Sequence, residues 1–312
     1  MKARVLALHL GVIAALFAAQ FIVPSYHVTN LARIMVLAVF AMGYNIAFGY
    51  TGLLSLGHAM FFAAGMYGAG LPILHLGTGG EVALILGLLA GGALAGLVGL
   101  LALRTAGVSF MIVTLMFAQA GHLTLMYFAE WTRGDDGFPV PGAARSLFGL
   151  GLSDDRIRYL AALILFSVAM LACLWLVRSR FGRIMVAMRE NEERSRMLGY
   201  NPFAVKLTAL VVSGLYAGAA GAAYSLLFGY VGASFASIQY SILPLLYVLM
   251  GGAGTVLGPL IGTAAMFYLI DFASAHTTAW LMVVGVALVL LTLFAPKGVL
   301  GTIRERWAKW LP

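Results

Sequence analysis

Charge and sulfur are what this sequence has least of. Only 10% of its 312 residues are Asp, Glu, Lys or Arg, whereas 62% belong to the apolar set Ala, Val, Ile, Leu, Met, Phe, Trp, Tyr and Cys. A soluble domain carries about 25% charged residues, and no surface of normal polarity would cover a core this large. The composition excludes an ordinary soluble protein and makes lipid the natural solvent. The single cysteine, Cys173, lies in an apolar stretch, which excludes an intrachain disulfide and argues against a thiol site. No G-x-x-x-x-G-K-[ST] segment occurs, so the chain has no phosphate loop of its own for ATP hydrolysis. His122 and Gln119 share one helix face at i, i+3, with no carboxylate or Cys near them in sequence, which makes a poor metal site. The lone histidines and one Cys offer little to an intramembrane hydrolase either.

The few charges mark out long uncharged windows. There are 28 residues between Arg4 and Arg33, 47 between Arg33 and Glu81, 22 between Glu81 and Arg104, and 25 between Arg104 and Glu130. Further on, 19 separate Arg158 from Arg178, 64 separate Lys206 from Asp271, and 25 separate Asp271 from Lys297. At about 20 apolar residues per spanning helix, these windows hold ten crossings. Glycine divides the long ones, at Phe48-Gly49-Tyr50-Thr51-Gly52, at Gly229-Tyr230-Val231-Gly232 and at Gly251-Gly252-Ala253-Gly254. The expected helices are 5–24, 32–49, 53–77, 82–103, 108–129, 158–177, 206–228, 236–250, 255–272 and 278–295. The first could be a secretory signal, since Met1-Lys2-Ala3-Arg4 is a basic start; its apolar stretch exceeds the usual 7 to 15 residues or so, which favours a membrane helix.

With both termini in the cytosol, 14 of the 19 basic residues fall inside: Lys2, Arg4, Arg104, seven from Arg178 to Lys206, Lys297, Arg304, Arg306 and Lys309. That satisfies the positive-inside rule. Seven of the 11 acids fall outside. The formal net charge of +8 then needs no nucleic acid to explain it; anionic membrane lipid and cytosolic partners suffice.

Ten crossings form two sets of five, 1–129 and 158–312, joined by an outside loop at 130–157, all within a single membrane domain. An odd number per half inverts the second half, the plan of many transporters. The expectation is therefore an all-α polytopic membrane protein with two five-helix inverted repeats. Helix three carries Gly57, Gly65, Gly68, Gly70 and Pro72, and helix eight is short, contains Pro244 and ends in the Gly251–Gly254 turn. Interrupted helices in two halves point to a translocation path, although glycine also serves close packing. Within helix three, Ser55, Gly57 and His58 are the path candidates. His58 either lines the path or hydrogen-bonds a neighbouring helix, since ionisable groups at membrane depth tend to do one or the other. Asn45 and Gln239 read as interhelical hydrogen-bonding groups.

The segment 178–206 is the most informative soluble stretch. Residues 184–198 lack Gly and Pro and place Ile184, Met188 and Leu198 at helical spacings. Gly199 suits a left-handed cap, and Asn201 with Pro202 supplies an N-cap and first-turn proline for the next helix. The reading is one short cytosolic helix held between two membrane helices, either a docking lever or a solvated connection.

Four blocks bring a resemblance: GYTGLLSLGHAMFFAAGMYGAG (49–70), RENEERSRMLGYNPFAVKLTALVVSGLYAGAAGAAYS (189–225), GGAGTVLGPLIGTA (251–264) and LFAPKGVLG (293–301). Together they resemble the LivM-type permeases of branched-chain amino acid ABC importers, over nearly the whole chain and in the right order. The resemblance implies a permease subunit of the bacterial inner membrane, paired with a LivH-type permease and served by two cytosolic ATPases and a periplasmic substrate-binding protein. ATP and Mg would be bound by the ATPases, so no cofactor and no enzymatic activity is expected of this chain. Carried over by position, Arg189, Glu190, Asn191, Glu192, Arg194 and Gly199 become candidates for ATPase coupling. The solute implied is Leu, Ile or Val, although relatives with the same pattern also move amides, urea or aromatic acids. The competing expectation is an ion-driven transporter. It usually needs a carboxylate at depth, and Asp271 is the nearest to one.

Overall fold

The computed structural model describes residues 2–295 and 297–306. Lys309, one of the expected inside charges, lies outside them. The described chain is helical nearly throughout: α1 (Lys2–Ile22), α2 (Ser25–Asn45), α3 (His58–Leu76), α4 (Gly80–Ala102), α5 (Val108–Tyr127), α6 (Ala129–Thr132), α7 (Asp155–Arg178), α8 (Arg180–Glu190), α9 (Glu192–Met197), α10 (Pro202–Phe228), α11 (Ile238–Gly251), α12 (Gly258–His276), α13 (Trp280–Phe294) and α14 (Gly298–Arg306). Two small antiparallel pairings of two residues each complete it, Phe138–Pro139 with Tyr230–Val231 and Ser146–Leu147 with Leu150–Gly151.

All ten expected apolar helices are present, but they are not equivalent. Eight are long and apolar enough to cross a membrane; α11, with 14 residues, and α13, with 15, are shorter. At 1.5 Å per residue, α11 covers about 21 Å of a hydrocarbon layer near 30 Å. It stops where Gly252 adopts φ +116, a conformation that few side chains allow. The irregular turn 252–257 follows it.

The expected start of helix three also moves. The α2 helix runs on into a π-helical turn, Ile46–Tyr50, and the chain stays irregular through 51–57 before α3 begins at His58. Neither the glycines nor Pro72 interrupts α3, which is continuous from 58 to 76. The expected discontinuity therefore lies ahead of the helix. The single helix expected at 184–198 is two, α8 and α9. Asn191 has φ −157 and ψ 105, and its side chain caps α9 by accepting from the Arg194 N–H at 2.8 Å. A residue able to cap a new helix breaks the old one.

The glycines of α3, α4 and α10 have a packing role. A Cβ on Gly65 would strike the Gly218 carbonyl, one on Gly91 would sit 2.5 Å from the Gly218 Cα, and one on Gly218 would lie 2.8 Å from the Gly87 carbonyl oxygen. The three backbones touch, as small residues allow in membrane bundles. Around this seam α2 is buried on most of its surface, while α1 and α5 face outward on most of theirs.

Alternate connections gather at opposite ends. At one end Thr51–Leu54, Leu103–Val108, α8 and Asn201–Lys206 line a shared cavity; Gly49, Val177–Arg178, Ala253–Thr255 and Arg304 line a second. At the other end, the Phe148 N–H donates to Glu81, Tyr26 Oη donates to Asp271, and 138–139 pair with 230–231.

Candidate functional site

The segment between α7 and α10 is fixed at both ends and anchored in the middle. Ser179 caps α8, its Oγ accepting from the Gly182 N–H at 3.2 Å. Asp154 caps α7 at the far end of the same rod. Gly199, with φ +88, turns the chain after α9, and Asn201 caps α10 by accepting from the Ala204 N–H at 3.3 Å. These caps satisfy backbone donors that a helix end otherwise leaves bare. Met185 and Met188 are buried and hold α8 to the bundle. Leu198, placed with Ile184 and Met188 at helical spacing in the sequence, is 71% exposed beside Met197 at 85%.

The coupling candidates divide accordingly. Glu190, Asn191, Arg194 and Gly199 are exposed on this face. Glu192 is exposed and forms an ion pair with Lys206 at 2.5 Å, fastening α9 to the base of α10. Arg189 is exposed as well, but its Nη1 donates back to the Gly49 carbonyl at the π turn. The apolar tip made by Met197, Leu198, Tyr200 and Phe203 was not singled out in the sequence; the run Arg196-Met197-Leu198-Gly199-Tyr200 is its only local signal.

The path candidates sit together where two helices and Ser55 itself supply hydroxyls around the irregular segment and the start of α3. The Leu56 N–H donates to Thr114 Oγ1 of α5 at 3.2 Å, the Gly57 N–H to Ser55 Oγ at 3.2 Å, and the Ala59 N–H to Ser241 Oγ of α11 at 3.1 Å. Ser55 and His58 carry no exposed surface. A Cβ on Gly57 would run into the Thr114 carbonyl.

His58 is tied to α10. Ser213 Oγ donates its proton to the Gly43 carbonyl at 2.6 Å, so in the 2.7 Å contact with His58 it accepts, and His58 Nε2 carries the hydrogen. Its Nδ1 is then a bare lone pair, with no partner among the described residues. The ring is wedged edge-on to Tyr44 at 4.7 Å and Phe61 at 5.2 Å between centroids. Ser213, Thr114 and Ser241 were missed in the sequence, where a serine or threonine in a glycine-rich apolar helix gives no sign of its distant partner.

The other expected polar roles sort themselves plainly. Asn45 bonds a turn rather than a helix: it joins the end of α2 to Thr255 and Gly254 between α11 and α12. The Gln239 side chain is exposed and has no hydrogen-bond partner among the described residues. His122 Nδ1 bonds the Ala233 carbonyl at 3.1 Å, and no cluster of three metal-ligating residues exists among the described residues. Asp271 accepts from Tyr26 at an exposed helix end, at 2.7 Å. In the 130–157 loop, Arg145 donates to the carbonyls of Leu226 at 2.8 Å and Leu227 at 2.6 Å, closing the C-terminus of α10. Partial burial lowers the pKa of its guanidinium from the ordinary value.

Comparison with known proteins places the chain in a family. The profile of the family described as the permease component of branched-chain amino acid transport systems matches residues 26–293. The high-affinity branched-chain amino acid transport system permease proteins LivM of Salmonella typhimurium and Escherichia coli are each 28% identical, over 87% of this chain and 69% of theirs. A probable LivM of Methanocaldococcus jannaschii is 26% identical over 40% of this chain and 41% of its own length. No solved structure matches at a significant level. By the extent of the family match, the chain belongs to the permease-component family of branched-chain amino acid transport systems.

Proposed function

We propose that this chain is the permease subunit of an ATP-driven ABC importer for branched-chain amino acids, set in a bacterial inner membrane. It pairs with a LivH-type permease, receives solute from a periplasmic binding protein and is worked by two cytosolic ATPases. The end that gathers α8, α9 and α14 faces the cytosol, with ten crossings in two five-helix halves and both termini inside; the distribution of basic residues supports that sidedness.

The observation that carries the reading is the α8–α9 segment itself. It is capped at every turn and pinned by Met185, Met188 and Arg189, yet it leaves an apolar tip and exposed charges uncovered. A soluble partner that closes on ATP would push on that tip and switch the bundle between outward-open and inward-open forms. Ser55, Gly57 and His58 flank the path, and their complete enclosure fits a closed gate.

Charge reversal tests the docking face. Glu190→Lys should reduce co-purification of the ATPases about tenfold while membrane insertion is unchanged, as expected for a loss near 1.4 kcal/mol. Glu192→Lys should do more, because it also loses the Lys206 pair. Normal association of both variants would remove the docking assignment.

A further inference from the structure

The two irregular turns are about two hundred residues apart in sequence and meet beneath α8. Asn45, the last residue of α2, donates through Nδ2 to the Thr255 carbonyl at 2.9 Å and accepts through Oδ1 from the Gly254 N–H at 2.9 Å. Gly49 lies against the same point: a Cβ there would meet Asn45 Oδ1 and sit 2.6 Å from the Gly254 nitrogen. Each turn offers one carbonyl toward the inside face, and each is taken by an arginine. Arg189 of α8 donates to the Gly49 carbonyl, and Arg304 of α14 donates to the Gly254 carbonyl at 3.1 Å.

No backbone N–H among the described residues bonds the Gly49 carbonyl, so the guanidinium is the group that satisfies it. A cavity of about 1200 Å³, lined in part by Gly49, Arg189, Gly254 and Arg304, opens beside these bonds. Water can therefore reach the guanidinium from one side, and the bond to Gly49 can break and reform without stranding a bare buried charge. Arg189 is also one residue from Glu190 and two from the Asn191 break, so displacement of α9 acts on it directly.

We propose that Arg189 is a positioning residue that links the α8–α9 segment to the junction of the two turns, carrying a push on the segment into the π turn before α3 and, through Asn45, into the Gly254 turn of the other half. Its part is within the chain and separate from holding the ATPase. This rests on the ABC-permease reading above. The π turn is the element it moves, since π turns inserted in α-helices are frequent at functional sites. The segment 51–57 follows the π turn directly and ends at Gly57, next to His58 at the start of α3.

The test uses the complete complex in proteoliposomes, with ATP hydrolysed and solute imported measured together. Arg189→Gln should keep the ATPases bound and hydrolysis within about twofold, while uptake falls about tenfold, so ATP consumed per solute rises about fivefold or more. Arg189→Lys, which keeps the charge and one donor, should lie between Gln and the parent. An unchanged ATP-to-solute ratio in Arg189→Gln would overturn the proposal. Loss of the ATPases from that complex would overturn it too, by making Arg189 a docking residue. If Arg189→Gln does not fold, Arg189→Lys decides: a parental ratio refutes the role and a raised ratio supports it. Failure of the unaltered chain to bind ATPases at all would instead sink the parent reading.

Discussion

Replacing Ser213 by Ala isolates the bond that ties α3 to α10. The substitution removes a hydroxyl that accepts from His58 Nε2–H at 2.7 Å and donates to the Gly43 carbonyl at 2.6 Å, all three residues being enclosed. The Gly43 carbonyl keeps its helical partner, the Ile46 N–H, so it is not orphaned. His58 is: its Nδ1 already has no partner, and the ring would lose the other. An orphaned buried donor costs about 1 to 3 kcal/mol, whereas side-chain bonds between membrane helices average about 0.6 kcal/mol, with about 1.7 as the largest measured, because the groups find other partners. Here Tyr44 and Phe61 hold the ring and deny it another partner. The expected loss is about 1.5 kcal/mol, read as reversible unfolding of the purified chain in mixed micelles. In a His58→Phe background there is no donor to orphan, so Ser213→Ala should cost less than about 0.5 kcal/mol, a non-additivity near 1 kcal/mol. Equal costs in both backgrounds would refute the reasoning.

Two further substitutions probe the scaffold. Gly218→Val puts a branched side chain where the nearest backbone atoms of α4 lie 2.8 to 3.0 Å from Cβ; separating the helices should cost about 3 kcal/mol or more, seen as protease sensitivity of the detergent-solubilised chain, and a normally resistant variant would show the seam to be loose. Arg145→Gln drops two charge-assisted bonds to the α10 terminus, about 1.5 to 3 kcal/mol each. It should speed amide exchange across 138–152 and 226–231 while leaving ATPase association intact; unchanged exchange would show that the loop is held by other contacts.

The sequence discloses this molecule unevenly, for physical reasons. Uncharged windows located every apolar helix, because a charge in hydrocarbon is costly wherever it stands. Gly199, Asn201 and Pro202 marked the end of the α8–α9 segment because caps are local chemistry. The start of α3 was missed: Leu53, Leu54 and Leu56 are as apolar as a helix, and what breaks it is hydroxyls from Thr114 and Ser241 on remote helices. Asn191 was legible as a cap only in hindsight, since mid-segment asparagine suits a solvated helix nearly as well. The glycines of α3 carried two meanings in the sequence; Gly65 turned to packing because Gly218 faces it, a pairing no local pattern encodes. Arg189 looked like its neighbours in a basic run, and only the approach of Gly49 sets it apart.

The most direct measurement is solute accumulation in sealed proteoliposomes, with this chain alone and with the proposed LivH-type partner, two ATPases and binding protein. The account predicts uphill accumulation of a branched-chain amino acid only in the complete set supplied with ATP, and none from the chain alone under any ion gradient. Accumulation by the chain alone, driven by a proton or sodium gradient, would contradict it.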